Sequence, residues 1–206
     1  MKSDVSSQVF GDETSLKYST NRAVEKTKGI IMLYKKKPIQ AFFYSSSGGY
    51  TEVSENVWNK SFPYFKMEKD EFDNKKINNW SFSIREKKLR IKLKKHYRRI
   101  GKLKKIYPLK ITKSGRWSKI GIKHSRGVLK LSGNKLRAII GSQYKFKSLK
   151  ITYYKYRRGK FYFKGVGSGH GVGLPQWSAK KMGELGYDYK TILKKYYKGI
   201  NFGKIK

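Results

Sequence analysis

Gly165-Val166-Gly167-Ser168-Gly169-His170-Gly171-Val172-Gly173-Leu174-Pro175-Gln176-Trp177 is the densest local signal in the chain. Glycine stands at every second position from 165 to 173. That spacing forbids a stable helix and makes an ordinary strand costly. Such a backbone can approach a ligand closely, and it presents His170 without crowding. An imidazole donates, accepts or carries a proton near neutral pH. Gln176 and Trp177 follow at the head of a helix that Pro175 opens and Gly186 ends, offering an amide and a ring for stacking. No βαβ unit follows, so this is not a dinucleotide fingerprint, and no Gly-Lys-Ser/Thr makes it a phosphate loop. Taken alone, the stretch reads either as a ligand-contacting turn or as a structural turn with a satisfied histidine.

A second signal lies far upstream: Ala41-Phe42-Phe43-Tyr44-Ser45-Ser46-Ser47-Gly48-Gly49-Tyr50-Thr51-Glu52, followed by Glu55 and Trp58. Hydroxyls, a glycine pair, acids and aromatic rings suit sugar binding. The alternative is a polar loop after a buried strand, and loops at strand ends are where sites concentrate.

Between and around these motifs the pattern predicts short elements. Ser19 or Thr20 caps a helix that Gly29 stops. Gly29–Tyr34 and Pro38–Tyr44 read as a hairpin about Lys35-Lys36-Lys37. Residues 60–80 are loop-like. Apolar Leu89, Ile91 and Leu93 within 85–97 fit a strand or a helix, and periodicity does not decide between them. Leu103–Thr112 and Trp117–Lys123 read as strands about Ser114-Gly115, and Gly127–Leu131 as another. Ser132 or Asn134 caps a helix over Lys135–Ile140. Lys147–Tyr156 and Lys160–Lys164 form a hairpin about Arg158-Gly159. Two helices close the chain. In the first, Leu174, Trp177, Met182 and Leu185 share a face. The second is capped by Asp188 and turns Tyr189, Ile192, Leu193 and Tyr196 inward. The fold class is α+β: β-hairpins in a mixed sheet, a few short helices and two C-terminal helices. The most basic stretch, 85–126, marks an inserted subdomain at about 80–130.

Fifty Lys and Arg stand against thirteen Asp and Glu, a formal charge of +37. A chain so charged invites disorder, but 15% aromatic residues spread along its length argue for a folded domain. The charge attracts polyanions: nucleic acid, an anionic membrane or an acidic wall polymer; a lysine-rich compositional bias is the plainer cause. Arg85 to Lys105, with Trp80 and Tyr97, could line a polyanion, but it carries no arginine-rich base-reading motif, so no specific nucleic-acid partner is expected. The chain has no cysteine and three histidines. His96 and His124 lie in basic, strand-like sequence, and no His/acid spacing fits zinc. No metal and no cofactor are expected. No apolar run approaches a membrane span, and no signal peptide is visible.

Together, Tyr44-Ser45-Ser46-Ser47-Gly48-Gly49-Tyr50-Thr51-Glu52, the later Trp58, and Gly169-His170-Gly171-Val172-Gly173 with Gln176-Trp177 resemble the SpoIID/LytB (stage II sporulation protein D-like, amidase-enhancer) family. Ala23–Gly29, Gly115-Arg116-Trp117, Leu131–Arg137 and Ile192–Gly199 resemble other parts of that family, so the likeness runs from about residue 4 to the C-terminus. It implies a peptidoglycan-directed module related to lytic transglycosylases that cleave stem-peptide-free glycan strands. In that chemistry one carboxyl acts first as acid and then as base while the sugar's own 6-hydroxyl replaces water. A rise of two pKa units in that carboxyl needs about 2.7 kcal/mol.

The resemblance also sets expectations for the site. Ser45, Ser47, Gly48, Gly49, Thr51, Glu52, Gly169, His170, Gly171, Gln176 and Trp177 contact substrate, so the two turns fold against each other into one cleft. The family's catalytic Glu is attributed to a segment upstream of the matched region. That leaves Glu52 and Glu55 as weak candidates, with Glu184 on a helix, and the chain alone is expected to be inactive. Ser6-Ser7-Gln8-Val9-Phe10 stands where some members carry a metal-binding Cys, and Pro175 replaces a Ser. Expected partners are glycan strands and either an upstream split-gene product or a wall amidase, and the expected location is the cell envelope. The alternatives are a non-catalytic glycan-binding or amidase-enhancing module, and a general polyanion binder.

Overall fold

A computed structural model describes residues 18–74, 78–141 and 145–204; the Ser6–Phe10 stretch lies outside them. The chain forms two units, residues 1–39 with 201–206 and residues 40–200. In the smaller unit, α1 (Tyr18–Thr27) precedes a sheet in the order β11-β1-β2, with β1 at Ile30–Tyr34, β2 at Lys37–Pro38 and β11 at Asn201–Lys204. Lys35 and Lys36 both adopt positive φ (48° and 62°), the backbone of a two-residue hairpin turn. The expected second strand is shorter than the Pro38–Tyr44 reading. Its outer part, Phe43–Tyr44 (β3), pairs instead in parallel with Leu174–Pro175 (β10).

The larger unit carries α2 (Glu55–Trp58), β4 (Asn79–Arg85), α3 (Glu86–Lys94), β5 (Leu103–Ile111), β6 (Trp117–His124), β7 (Gly127–Ser132), α4 (Gly133–Ile140), β8 (Ile151–Arg157), β9 (Lys160–Val166), α5 (Gln176–Glu184) and α6 (Tyr189–Tyr196). Two antiparallel sheets, β4-β9-β8 and β5-β6-β7, share one core with α3 and α4. The α+β class therefore holds. Segment 80–130 contributes Trp80, Leu89, Leu93, Ile106 and Ile120 to the same core as Phe161 and Phe163.

The ambiguous 85–97 stretch splits at Arg85. Before it, Trp80 and Ile84 alternate inward as a strand. After it, Leu89 and Leu93, four apart, are fully buried, while Ile91 is 52% exposed, which is helical spacing. Local turn chemistry sets the remaining boundaries. Ser132 Oγ accepts from the Lys135 N–H, and Asp188 Oδ1 accepts from the Lys190 and Thr191 N–H groups, both N-caps. Arg158 and Gly159 turn the β8–β9 hairpin with positive φ.

The inward face read for α5 needs correction. Met182 is buried, but Trp177 and Leu185 are 45% and 55% exposed. On α6, Tyr196 is buried but Tyr189 is exposed. Both helices meet the core along a narrower stripe than their apolar residues suggest, and Ser178 and Tyr196 on that stripe donate to buried Asp70.

The burial pattern of α3 predicts that Leu93→Ala lowers unfolding free energy by about 2–5 kcal/mol. Ile91→Ala should change it by less than about 0.5 kcal/mol. Urea titration of each variant checks the difference.

Candidate functional site

The two motif turns meet. Ser46 and Ser168 exchange both backbone hydrogen bonds, at 3.0 and 2.9 Å. The Glu52 N–H donates to Gly171 O at 2.8 Å, the Leu174 N–H to Phe42 O at 3.1 Å, and the Trp177 N–H to Ser45 O at 3.1 Å. Gly167, Gly169, Gly171 and Gly173 all have positive φ, so the chain zigzags along the serine loop. At Gly173 a Cβ would collide with the Phe42 carbonyl, and at Gly171 it would lie 2.6 Å from Cζ of Arg116. Glycine at these two positions is required by close approach.

Beneath this junction lies a buried polar frame. Glu52 is 2% exposed. Its Oε1 accepts from the Val53 N–H and the Asn56 amide, both at 2.9 Å. Its Oε2 accepts from Thr112 Oγ1 at 2.6 Å and Ser114 Oγ at 2.7 Å. Arg116 donates Nη1–H to Ser114 Oγ and to Tyr50 O, and Nη2–H to Ser47 O at 2.7 Å. Ser114 thus bridges a buried carboxylate and a buried guanidinium, whose pKa burial lowers. Asp73 accepts from Ser46 Oγ and the Asn78 amide, and burial raises its pKa. Asp70 accepts from Ser178 and Tyr196, fastening α5 and α6.

The sequence-predicted site residues therefore separate by location. Ser47, Gly48, Gly49, Thr51 and Glu52 are interior. The Ser47 Oγ accepts from the Gly49 N–H, and the Thr51 hydroxyl donates to Lys66 O. Gly169 and Gly171 carry the backbone past Tyr44 and Arg116, while Ser45 O anchors the start of α5. Gln176 and Trp177 are exposed on α5 and are not among the residues lining the cleft at His170. Lys180 Nζ lies 5.3 Å from the Trp177 ring centroid.

His170 lines a cleft of about 460 Å³ with Trp58, Val57, Asn134, Arg137 and Ala138. Its ring is 5.0 Å from Trp58 and 5.3 Å from Tyr44. Nδ1 accepts from the Val172 N–H at 3.1 Å. Burial pushes its pKa down to about 4, against a hydrogen bond to the Phe43 backbone and with help from the Arg137 and Arg116 charges. The imidazole is thus neutral and tied to backbone, a wall of the cleft. Val57 and Trp58 also line a neighbouring trough of about 720 Å³ that holds Glu55, Lys110, Lys119 and Lys130. Trp58 is 41% exposed and stands where the two meet. Arg137 is anchored by donating Nε–H to Phe146 O.

Residues 51–173 match a family described as a domain of unknown function (DUF8618). The chain is 32% identical to the amidase enhancer of Bacillus subtilis, over 93% of this chain and 33% of that protein. It is 32% identical to stage II sporulation protein D of Bacillus amyloliquefaciens, and 30% to that of Bacillus subtilis, in each case over 91% of this chain and 51% of the relative. The chain belongs to the SpoIID-like family. It spans a third to about half the length of these relatives.

In this SpoIID-like chain, Arg116, Asn134 and Arg137 fall within segments that resemble the family, but no local pattern points to their place at the frame and cleft. Asp70 and Asp73 lie in the segment 60–80, which reads as loop-like. Their signal is local density: Glu68, Asp70, Glu71 and Asp73 place four of the chain's thirteen acids within six residues.

His170 gives the frame a pH signature. Its folded pKa near 4 lies below the unfolded value of about 6.5, so the unfolded chain binds more protons between these values. Stability from this group is complete above about 6.5 and is lost as pH falls toward 4, by about 3 kcal/mol. The difference in unfolding free energy between wild type and His170→Gln, followed by urea titration from pH 7 to 4, should show that slope.

Proposed function

We propose that this SpoIID-like chain is a cell-wall, sporulation-related module that grips peptidoglycan glycan strands in the cleft at Trp58 and His170. The observation that carries this reading is the pairing of an exposed indole with a neutral, backbone-tied imidazole, beside Asn134 and Arg137. A sugar ring stacks its C–H face on an aromatic ring, while amide and guanidinium groups meet its hydroxyls and acetamido groups. The adjoining trough extends the surface as a linear polymer needs. The family likeness supports glycan strands without stem peptides as substrate, and the cell envelope as the place of action.

Cleavage by a lytic transglycosylase needs an enclosed, protonated carboxyl at the leaving oxygen. Both oxygens of Glu52 are already occupied by four donors. Glu55 is exposed in a trough rimmed by lysines. Neither carboxyl meets that need in this arrangement, so the geometry at the cleft supports a grip on the strand rather than its cleavage. A second reading follows from the relative named amidase enhancer: the same grip would hold strands for a wall amidase.

Retention of the purified chain on stem-peptide-free glycan tests the grip. Trp58→Ala should weaken binding about tenfold, roughly 1.4 kcal/mol, at a temperature where circular dichroism shows the variant folded. Trp177→Ala, away from the cleft, should bind as wild type. Wild-type affinity in Trp58→Ala sinks the cleft. Release of anhydro-ended fragments by wild type but not by Glu55→Gln would instead assign Glu55 the acid's role.

A further inference from the structure

The sheet β4-β9-β8 has two faces of opposite chemistry. Trp80, Ile84, Phe161 and Phe163 point into the core. The other face is ordered by register into three rows across the strands: Ser81–Lys164–Tyr153, Ser83–Tyr162–Lys155 and Arg85–Lys160–Arg157. Neighbouring strands lie about 4.8 Å apart and alternate residues about 6.7 Å apart, so five cations form a grid at those spacings. No carboxylate stands in these rows, and none of the five cations makes an ion pair among the described residues. An open trough of about 670 Å³ lies over this face. Like charges on adjacent strands repel and destabilise a sheet; a bound polyanion reverses the sign of that interaction.

The tyrosines decide between polyanions. Lys164 Nζ sits 5.7 Å from the Tyr153 ring centroid, and Lys160 Nζ 5.3 Å from that of Tyr162. Each ring already carries an ammonium group, which leaves it a poorer stacking platform for a nucleobase than a bare ring. A polymer recognised by its phosphates alone meets the ammonium groups where they are.

We infer that the outer face of β4-β9-β8 is a second binding site, for a linear phosphodiester polymer of short polyol units running through the cell wall. The choice of an envelope polymer rests on the cell-wall reading above. Its phosphates lie between the lysines of β8 and β9, and each neutralised charge releases counterions, so binding weakens steeply with salt.

Fluorescence anisotropy of labelled poly(glycerol phosphate) with the full chain tests this against the protein's overall charge. Lys155→Gln/Lys160→Gln/Lys164→Gln should weaken binding at least tenfold. Lys87→Gln/Lys94→Gln/Lys95→Gln removes the same charge from exposed positions on and beside α3 and should weaken it less than threefold. Equal losses in the two triple variants, or no binding by wild type, overturns the site. Tighter binding of oligothymidylate or of phosphatidylglycerol vesicles, sensitive to the same face triple, also overturns it, in favour of nucleic acid or membrane. Trp58→Ala, carried in parallel, should keep full polymer affinity, so failure of the glycan cleft and failure of this face register separately.

Discussion

The junction depends on burying Arg116 and Glu52 together. Taking a guanidinium and a carboxylate out of water costs several kcal/mol each unless every lone pair and proton finds a partner. Here Ser114 Oγ stands between them, donating to Glu52 and accepting from Arg116, and the Ser47 and Tyr50 carbonyls take other guanidinium protons, while Arg116 Nε is buried without a partner among the described residues. These partners come from the serine loop and the β5–β6 turn, and Gly171 passes directly over the guanidinium. Three segments separated by scores of residues are thus fixed by one charge that cannot be left alone. The glycine-alternating stretch is the counterpart of that constraint: a side chain at 171 would have to occupy the guanidinium's own space.

This changes the meaning of the serine-glycine motif. Its hydroxyls and carboxylate look, as a list of groups, like a sugar-binding surface. In the fold they face inward, and their chemistry is consumed by Asp73, Arg116 and the hydroxyls of the β5–β6 turn. What reaches the cleft is the next turn of chain, Trp58 on α2, and the imidazole that the frame holds in place. The motif positions the proposed binding surface and contributes little of it.

What the sequence revealed follows the range of the forces involved. Turns at Lys35-Lys36, Ser114-Gly115 and Arg158-Gly159, and caps at Ser132 and Asp188, rest on contacts within a few residues and could be read directly. Pairing of the two glycine motifs could be read from their joint resemblance to one family. The strand Asn79–Arg85 does not stand out although Trp80, Phe82 and Ile84 alternate, because the helix that follows at once blurs the period. Asn201–Lys204 has no alternation of its own and exists as a strand through its pairing with β1. The exposure of Trp177 and the burial of Glu52 depend on partners sixty and more residues away. No local pattern carries that information.

Charge distribution links the frame to the surface. Glu52, Asp70, Asp73 and Glu86 are all buried, four of the thirteen acids in a chain with fifty Lys and Arg. Their partners are mainly hydroxyls, amides or backbone N–H groups, although Asp73 Oδ2 has none among the described residues; Glu86, for example, accepts from the Leu103 N–H and pairs with Arg90. Acids held inside as structural acceptors cannot offset cations outside, so folding concentrates the basic excess at the surface. A surface of that kind binds polyanions with little discrimination, and selectivity must come from geometry. A neutral imidazole beside an indole discriminates by shape and hydroxyl pattern, which salt hardly affects. A row of lysines over tyrosines discriminates by charge spacing, which salt screens within about 10 Å. The two proposed surfaces therefore answer differently to ionic strength, and that difference separates the proposed grip on glycan from the general attraction of a very basic protein.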